Sequence, residues 1–561
     1  MRFQNGGLLT LPLLAWGCTI LGAAVATGAS PADLQARADR YVDAVREFAD
    51  TALEHGRDVY GPKRTPLFVD GLDVESREPV KWKTRGQEWI LANLASQQNL
   101  WRTLDALTSL TDQAEYREAA AAAARYGFEH LQHPNGLLHW GGHTSYDAAA
   151  DQVVTEAKQH ELKCHYPYYK FMWKVDPQAT GRLIEAFWNA HILDWANLDM
   201  NRHGDYRRPF ETPWDNTYEG GPVFFRGKGL TFVNTGSDLF YAGTMLHKLS
   251  GQEEPLTWAK RMGHRYVETR NPKTGLGGYQ YSRLARGDRA EMQFGAEFGE
   301  RVLEGMLLVP IEWSRIKFAR AGTCQLLLSE LLGPEGDDFR RWGSEDLKAY
   351  ASHAYDPAKN TFAALITDGT KLSPADVKRD GYYGPKGSSN FQPQPAGPLF
   401  FRAYALAFRL SGDRAFYDTA RSIGRGNGLG NLGPDPDKPA LDGDIRCSDP
   451  AVIVGLLDLY RKTKCADYLE YACQVADNIL TERFRGGLFA EGPDYRFARL
   501  DRHEPLALLH LVAAIRDSTI PVPMYWPNQA FFACDYDGKG RQCDRELIYQ
   551  QRRQTTRSSD R

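Results

Sequence analysis

Apolar residues three and four positions apart recur through most of the 561-residue chain. A helix beginning near Pro31 is one example, because Tyr41, Val45, Phe48 and Ala52 fall on one of its faces. The same spacing predicts further helices, which cover residues 87–110, 113–131 and 177–200. Alternating patterns typical of strands are few and short, and the clearest lie at residues 222–225 and 230–233. The chain is therefore predicted to be dominated by helices.

A degenerate repeat runs along these helices. A helix ends in a short polar turn, a second helix follows, and a Gly-Leu loop closes the unit. The polar turns lie at residues 110–112, 249–251, 410–412 and near 463. Each such hairpin must bury its apolar face on its neighbours. Because the copies are irregularly spaced, we expect a closed α/α toroid with short strands in inserted loops; a stack of unrelated hairpins is the alternative.

Residues 1–29 have the pattern of a secretory signal peptide. They contain one charge, Arg2, and an apolar stretch that is broken by Pro12 and several glycines. Small residues offer cleavage sites after Ala26 or Ala29. The stretch is too short and too interrupted for a comfortable membrane span. We therefore expect a periplasmic or secreted protein without stable membrane insertion after cleavage; an uncleaved anchor is the alternative.

The composition changes after residue 525, so we assign residues 30–525 to the toroid and residues 526–561 to a C-terminal tail with a disordered basic end. The stretch from Asp535 to Glu546 has the length of a calcium-binding EF-hand loop, although Lys539 replaces an oxygen ligand. Cys534 and Cys543 flank this loop. They could form a disulfide in an oxidising compartment, and free buried thiols are the alternative.

Charge and composition exclude several classes of protein. The chain is 25% charged and 42% apolar, which is ordinary for a globular protein and excludes a collagen-like or disordered chain. Its formal net charge of −3 provides no general positive field, so we expect no nucleic-acid partner. No Cys-x-x-Cys occurs, which argues against a zinc or iron–sulfur framework.

Histidines are concentrated in one part of the chain. Six of the 14 lie within three patches, at positions 139, 143, 160, 165, 191 and 203. Clustered imidazoles with nearby carboxylates are typical of a divalent transition-metal site with open positions. The alternative is that these histidines have ordinary structural roles in the core and at the surface.

In combination, these patches resemble polysaccharide lyase family 2, the pectate lyases with an (α/α)7 barrel. The likeness extends over most of the chain after the signal and is densest between residues 130 and 300. The similar stretches are Trp140-Gly-Gly-His143, His160-Glu-Leu-Lys163, Tyr168-Tyr169, Phe187-Trp-Asn-Ala-His191, Asp194-Trp195, Arg202-His203-Gly204, and the segments at 270–280 and 293–298.

The resemblance implies a metal site and a base. By matching motifs, His143, Glu161 and His203 would hold the ion, and Arg202 would be the catalytic base. Manganese is the expected metal, with calcium, nickel or cobalt as alternatives. The interval from His143 to Glu161 is shorter than usual in the family, so His139 is the alternative first ligand. The residues expected to contact substrate are Lys163, His165, Tyr166, Trp140, Arg85 and Tyr279.

The expected reaction is β-elimination in an acidic polysaccharide, α-1,4-linked polygalacturonate. A dication on the uronate carboxylate stabilises the charge that develops when the C5 proton leaves. Arginine is normally protonated, so Arg202 has a second possible role as a clamp on the carboxylate, with Lys163, His165 or Tyr166 taking the proton.

Two other functions remain open at this point. An inverting hydrolase on the same toroid would use two opposed carboxylates, with Asp147, Glu161 and Asp215 as candidates. A sugar-binding protein without catalysis is the other alternative.

Overall fold

The computed structural model describes most of the chain after the predicted signal peptide. The described residues are 30–84, 86–155, 159–223, 228–278, 280–282, 293–298, 301, 307–308, 312–381, 383–535, 538 and 540–553. The predictions for residues 1–29, Arg85, Tyr279 and the end from residue 554 therefore lie outside the described residues. Within them, no helix combines the length and the apolar composition that a bilayer span requires.

Fourteen helices of seven residues or more lie in the described part of the chain. They are α1 (Pro31–His55), α2 (Gln98–Thr111), α3 (Ala114–His130), α4 (Tyr169–Val175), α5 (Pro177–His191), α6 (Val233–Ser250), α7 (Glu254–Glu268), α8 (Glu312–Leu332), α9 (Asp337–Ala354), α10 (Pro398–Ser411), α11 (Arg414–Gly426), α12 (Pro450–Thr463), α13 (Asp467–Arg483) and α14 (Glu504–Ile515). A single turn, α15 (Asp544–Leu547), follows them.

These helices form seven hairpins arranged in a ring. The two helices of each hairpin pack against each other. The hairpins are α2/α3, α4/α5, α6/α7, α8/α9, α10/α11 and α12/α13, and the last helix, α14, pairs with the first, α1. Helices α2, α6, α8, α10, α12 and α14 also contact their neighbours around the inner side. Inner helices are buried on every face, as in α12, where residues 450–459 are all buried. The prediction of an α/α toroid is confirmed.

The turns of the sequence repeat have a common backbone geometry. Asp112, Gly251, Gly412 and Lys464 all adopt the left-handed conformation directly after the first helix of their hairpin. Each donates its backbone N–H to the carbonyl four residues earlier, which satisfies one of the free carbonyls of the helix end. The four polar turns identified in the sequence are therefore equivalent connections between an inner and an outer helix.

The predicted helix over 87–110 begins only at Gln98. The residues before it form the strands Gln87–Trp89 and Leu91–Ala92 and a short 3₁₀ turn. Leu91–Ala92 pairs with Thr144–Asp147, and the Asp147 carboxylate accepts the N–H of Ile90 at 2.9 Å. The helical spacing of Ile90 and Leu94 did not reveal this pairing, because the partner strand lies about 50 residues later.

The predicted helix over 177–200 ends at His191. Beyond it the chain reverses through two short strands, Ile192–Asp194 and Asp199–Met200, with Leu198 in the left-handed conformation. The turn is fixed by His191, whose Nδ1 lies 2.8 Å from the carbonyl oxygen of Asn201. The apolar residues after His191 therefore belong to a tight turn that leads into the third histidine patch.

Strands are short, antiparallel and confined to the connections. Leu230–Phe232 confirms one of the two predicted strands, whereas residues 224–225 of the other lie outside the described part of the chain. The paired strands are Gly71–Asp73 with Phe497–Arg499, Trp82–Thr84 with Gln87–Trp89, Leu91–Ala92 with Thr144–Asp147, Thr144–Asp147 with Gln152–Thr155, Gln159–His160 with Gly204–Asp205, Ile192–Asp194 with Asp199–Met200, Leu230–Phe232 with Gln280–Ser282, Leu307–Leu308 with Ala364–Ile366, Ala364–Ile366 with Lys371–Leu372, Tyr355–Asp356 with Thr361–Phe362, Thr361–Phe362 with Gln394–Pro395, Phe484–Arg485 with Leu488–Phe489, and Ala533–Asp535 with Arg541–Cys543.

Residues 521–535 pass through the middle of the ring, and we call them the axial segment. They contact side chains from five inner helices, namely His510 of α14, Arg402 of α10, Tyr241 of α6, Arg320 of α8 and Asn99 of α2. At its start, Pro521 lines a cavity with Ser109 and Leu331, which lie near the C-terminal ends of α2 and α8. Further along, Asn528 accepts a hydrogen bond from Asn99 at the N-terminal end of α2. The segment therefore runs from the C-terminal to the N-terminal ends of the inner helices.

The described residues after 525 differ from the separate, partly disordered tail that the sequence suggested. Trp526 is buried against the rings of Tyr166 and Tyr241. Phe531 and Phe532 are buried as well. The change in composition near residue 525 therefore marks the point where the chain enters the middle of the ring, and the described residues beyond it remain packed. Residues 526–535 contribute to the interior of the toroid.

Cys534 and Cys543 are not joined by a disulfide in the structure. They lie on paired strands but out of register, because Cys534 is opposite Gln542 and Cys543 is opposite Ala533. The Cys534 thiol accepts a hydrogen bond from the indole of Trp82 at 2.8 Å. Strands, and not the two helices of an EF-hand, lead into and out of the loop between them. Asp537 and Lys539 of that loop lie outside the described residues.

Candidate metal centre

His143, Glu161 and His203 converge on one point. One ligand atom from each lies within 4.8 Å of the others. The strand Gln159–His160 pairs with Gly204–Asp205, and this pairing places Glu161 beside His203. Three segments that are far apart in sequence therefore meet beside the axial segment, at the N-terminal ends of the inner helices.

The backbone around Gly141 joins His143 to Glu161. Gly141 forms a parallel bridge with Glu161, and the N–H of Gly142 donates to the Glu161 carbonyl at 3.0 Å. Gly141 has a φ of +103°, and a Cβ at this position would lie 2.4 Å from that carbonyl oxygen. The Asn93 amide holds the same turn, since it donates to the Gly141 carbonyl and accepts the Gly141 N–H. Only glycine fits this approach.

The candidate ligands are close and shielded from water. His143 Nε2 lies 2.8 Å from Glu161 Oε2, and His203 Nε2 lies 3.3 Å from Glu161 Oε1. The side chains of His143 and Glu161 are 1% exposed, and that of His203 is 16% exposed. The side with the exposed edge of His203 is therefore where a ligand can reach the cluster.

The hydrogen bonding of His143 shows that these residues fit a cation. Its Nδ1 lies 3.2 Å from the carbonyl oxygen of Ala533, which can only accept, so Nδ1 carries a hydrogen and Nε2 is the nitrogen left to bind a metal. Nε2 faces Glu161 Oε2 at 2.8 Å. Among the described residues, no hydrogen-bond partner reaches His143 Nε2, His203 Nε2 or Glu161 Oε2. A proton or a metal ion can join such facing nitrogen and carboxylate atoms, and two imidazoles with one carboxylate form a usual donor set for a transition metal.

Electrostatics keep these groups in the forms that bind a metal. Burial alone raises the pKa of Glu161, but the positive charges of Lys163 and Arg202 oppose it, and the pKa lies well below its usual range. Burial lowers the pKa of His203 to about 4. At neutral pH the carboxylate is therefore ionised and the His203 imidazole is neutral.

Two cations flank the carboxylate. Lys163 Nζ and Arg202 Nη1 lie 3.1 and 2.8 Å, respectively, from Glu161 Oε1. The Arg202 guanidinium lies 5.0 Å from the ring centre of Phe232, and Lys163 Nζ lies 4.8 Å from that of Phe531. Burial lowers the pKa of Lys163. Two positive charges beside one negative charge give the site a local positive field, which the acidic chain as a whole lacks.

A separate chain of buried rings lies next to the cluster. The Trp140 indole N–H donates to His160 Nε2 at 2.9 Å, His160 Nδ1 lies 2.9 Å from His191 Nε2, and His191 Nδ1 lies 2.8 Å from the Asn201 carbonyl. Because an indole only donates and a carbonyl only accepts, each imidazole donates from Nδ1 and accepts at Nε2. Burial lowers the pKa of His160 and that of His191, the latter to about 4. These two histidines are neutral and fully bonded, so they have no free lone pair for a metal.

Three of the residues predicted to contact substrate are buried. Trp140, His165 and Tyr166 are each 0% exposed. The Tyr166 hydroxyl lies 3.0 Å from Ser237 Oγ, and His165 Nδ1 accepts the backbone N–H of Lys163. Because no ring face of Trp140 or Tyr166 is open, the expected contact of these rings with substrate does not fit the structure. Of the described residues that were expected to contact substrate, only Lys163 has its charged group directly beside the candidate ligands.

His139 lies away from the cluster. Its ring stacks on Tyr206 with 5.0 Å between ring centres, and burial lowers its pKa to about 4. It lines a different cavity of about 560 Å³, together with His133 and Phe210. The structure therefore brings His143, and not the alternative His139, to Glu161 and His203.

Asp238 is a functional-site residue that the sequence did not reveal. Its buried carboxylate, on α6, accepts the backbone N–H groups of Cys164, His165 and Tyr166. Burial raises its pKa to about 7. Cys164 and Tyr166 have positive φ values of 56° and 43°, so the carboxylate stabilises a strained loop directly after Lys163. An aspartate within a helix pattern gives no signal of such a role.

The carboxylates proposed for a hydrolase are not opposed across a cleft. Asp147 accepts the N–H groups of Ile90 and Ala149, so it holds a loop. Asp215 is exposed at the end of a 3₁₀ turn. Glu161 is already surrounded by the imidazoles and cations described above. The described residues thus offer no pair of carboxylates from this set in the arrangement that inverting hydrolysis requires.

The chain was compared with known proteins. Residues 65–535 match the family described as periplasmic pectate lyase. A pectate disaccharide-lyase from Dickeya dadantii (strain 3937) is 31% identical over 542 residues, which cover 91% of this chain and 96% of that protein. Among solved structures, an α-mannanase of glycoside hydrolase family 76 from Bacteroides thetaiotaomicron has 12% identity and a TM-score of 0.41 over 86% of this chain and 99% of that one. A cellobiose 2-epimerase from Bacillus thermoamylovorans has 11% identity and a TM-score of 0.42, over 85% of this chain and 100% of that one.

The match to the family covers most of the described toroid, including the three candidate ligands and the whole axial segment. The relative from Dickeya dadantii is similar over nearly its whole length. Together they confirm the family that the histidine patches indicated: the chain belongs to the periplasmic pectate lyase family and is a polysaccharide lyase.

Proposed function

We propose that this protein cleaves α-1,4-linked polygalacturonate by metal-dependent β-elimination. The observation that carries the proposal is the meeting of buried acceptors at His143 and Glu161, which a cation would satisfy. Family membership supports the reaction class and an acidic polysaccharide as substrate. The positive field of Lys163 and Arg202 supports a polyanion at this place.

His143, Glu161 and His203 would hold the ion. A bound dication supplies Lewis acidity that stabilises the negative charge developing on the uronate carboxylate. Manganese is the proposed metal, because two imidazoles and a single carboxylate suit a transition metal. Calcium prefers a larger set of oxygen ligands, which these three side chains do not provide.

Arg202 is proposed to take the proton from C5 of the uronate. The electron pair of that C–H bond forms the C4–C5 double bond, the C4–O4 bond breaks, and O4 leaves and gains a proton from solvent. Lys163 orients the uronate carboxylate by charge. Phe232 covers the guanidinium and keeps water from one of its faces.

The comparison with relatives supports a proposal for the product and for the location of the protein. The similar protein of Dickeya dadantii is named a pectate disaccharide-lyase, and we propose unsaturated disaccharides among the products here. The signal-like residues 1–29 and the description of the family support a periplasmic or secreted protein.

The function is tested with protein stripped of metal by EDTA and supplied with polygalacturonate. Added Mn²⁺ should restore turnover, and the unsaturated product should absorb in the deep ultraviolet because its new double bond is conjugated with the carboxylate. Asp215→Asn, at an exposed site, is the matched control and should behave like the wild type. Cleavage without ultraviolet absorbance would indicate hydrolysis and contradict the proposal.

A second experiment separates the roles of Arg202 and Lys163. Arg202→Lys keeps the charge but loses the planar guanidinium. If Arg202 is the base, this variant should lose turnover while KM changes little, whereas Lys163→Met should mainly raise KM. The reverse result would make Lys163 the base and Arg202 the clamp on the carboxylate.

A further inference from the structure

We propose that the axial segment is a positioning element of the metal centre, so that metal affinity depends on residues 531–533 although none of them is a ligand. The inference rests on the proposed metal site at His143, Glu161 and His203. It goes beyond that site, because it assigns a role to a segment about 390 residues later in the chain.

Ala533 fixes His143 through its backbone. Its N–H donates to the carbonyl of Gly142 at 2.8 Å, and its own carbonyl faces Nδ1 of His143 at 3.2 Å. One residue thus holds two neighbours in the ligand loop. The carbonyl also selects the tautomer in which Nε2 is free to bind a metal. Such partners of a ligating imidazole fix its orientation and strengthen its binding.

Phe531 fixes the other side of the site. Its buried ring packs so closely on Gly142 that a Cβ at that position would lie 2.5 Å from the ring. The same ring lies 4.8 Å from Lys163 Nζ, which favours the ammonium at this place by a cation–π contact. Phe531 therefore links the loop that carries His143 to the cation beside Glu161.

Phe532 anchors the segment away from the ligands. Its ring packs edge-on against Trp82 and Trp89, with ring centres 5.6 and 6.3 Å apart. Successive side chains of an extended segment point to opposite sides, so Phe531 faces the metal centre while Phe532 faces this separate apolar cluster. A change at Phe532 therefore moves the Ala533 carbonyl without removing any group that touches a ligand.

Coupling between two sites is reciprocal. If the segment holds His143 in the form that binds metal, then metal binding must stabilise the segment by the same free energy. The protection of the Ala533 amide, which donates to Gly142, should therefore increase when the ion binds.

The first test measures Mn²⁺ affinity by isothermal titration calorimetry with the full-length protein. Phe532→Leu should weaken binding about 10-fold and Phe532→Ala up to about 100-fold, the range found when partners of metal ligands are changed. Met524→Ala, in the same segment but near the opposite ends of the inner helices, should bind as the wild type does. Circular dichroism checks that each variant is folded.

The second test needs no variant and so does not depend on folding. Hydrogen exchange is followed with and without Mn²⁺ in wild-type protein. A peptide covering 531–535 should exchange more slowly with the ion, and one covering 521–526 should not change. Unchanged exchange at 531–535, or unchanged Mn²⁺ affinity in folded Phe532→Leu, would overturn the inference. If the wild type itself binds no metal, the proposed function fails as well, so the two failures are distinguishable.

Discussion

Two groups of histidines lie side by side in this protein and differ in how their lone pairs are used. In the chain of Trp140, His160 and His191, every imidazole lone pair faces a donor, and the last N–H reaches a carbonyl. In the neighbouring cluster, the Nε2 atoms of His143 and His203 face the ionised carboxylate of Glu161. His160 and Glu161 are adjacent in sequence, yet they belong to different groups.

The difference shows what distinguishes a structural histidine from a ligand. Burial does not, because His143, His160 and His191 are all at most 1% exposed. Density in the sequence does not either, since both groups come from the same patches. The distinguishing property is whether a hydrogen-bond donor reaches each imidazole nitrogen, because a buried nitrogen lone pair without a donor leaves a place for a cation. The four predictions below test this distinction.

The largest effect is expected for Glu161→Gln. The amide removes the negative charge and can donate to an imidazole, so the cluster would no longer attract a cation or need one to satisfy its acceptors. We expect Mn²⁺ affinity to fall by more than about 100-fold and turnover to fall on the order of 10⁴-fold, about 5 kcal/mol in activation free energy. Titration calorimetry and ultraviolet absorbance measure the two effects. Glu185→Gln, a part-buried glutamate bonded to Trp214, is the control; equal losses in both variants would contradict the distinction.

The second prediction contrasts Glu161 with Asp238, a buried carboxylate whose acceptors are satisfied by three amides. Burial raises the pKa of Asp238 from 3.8 to about 7. The native state therefore binds the proton more tightly than the unfolded chain, and this contribution to stability is lost as pH rises from about 4 to about 7, by up to about 4 kcal/mol. Urea unfolding in EDTA across this range measures it. Asp238→Asn should flatten the profile; an unchanged slope would assign the pH dependence to other groups.

A third experiment compares the two histidine groups directly. His191→Ala removes a ring with two buried hydrogen bonds, so it should lower the free energy of unfolding by about 3 kcal/mol. His203→Ala should change it by less than about 1 kcal/mol in EDTA, because its Nε2 has no donor to lose. Urea unfolding in EDTA gives both values. Mn²⁺ should stabilise folded His191→Ala but not His203→Ala. A larger loss of stability in His203→Ala than in His191→Ala would contradict the division into two groups of histidines.

The smallest effect is expected for Trp140→Phe. The substitution leaves His160 Nε2 without its donor and should cost about 1–2 kcal/mol of folding stability. Since Trp140 is fully buried, KM for polygalacturonate should stay within about twofold of the wild type. Thermal unfolding and steady-state kinetics measure the two quantities. A KM that rises strongly would restore the contact with substrate that the sequence analysis expected of Trp140.

Local patterns predicted much of the toroid. The polar turns ending at Asp112, Gly251 and Gly412 are readable because a helix end needs a left-handed residue or a break in apolar spacing. Helix α1 begins at the predicted Pro31, and α3 lies within one residue of its expected limits at 113 and 131. The helix predicted from residue 87 was wrong in its first turns, since the partner of Leu91–Ala92 is a distant strand that local spacing cannot indicate.

The candidate ligands could be named from motifs, whereas their surroundings could not. His143, Glu161 and His203 come from patches that resemble a known family. Asp238 and Phe531 lie in stretches with no such pattern, and their roles arise from contacts across more than 70 residues. A fully buried tryptophan such as Trp140 looks the same in sequence as an exposed one, so its burial had to come from the structure.

The path of the axial segment also has a consequence for the order of events during synthesis. The Ala533 carbonyl that faces His143 is made 390 residues after it. At roughly 5–20 residues per second, translation needs roughly 20–80 s to cover that interval. A nascent chain that already contains His143, Glu161 and His203 therefore still lacks the carbonyl that faces one of them. On the proposed function, assembly of the metal centre must wait until residue 533 has emerged, which delays capture of a dication until the ring can close.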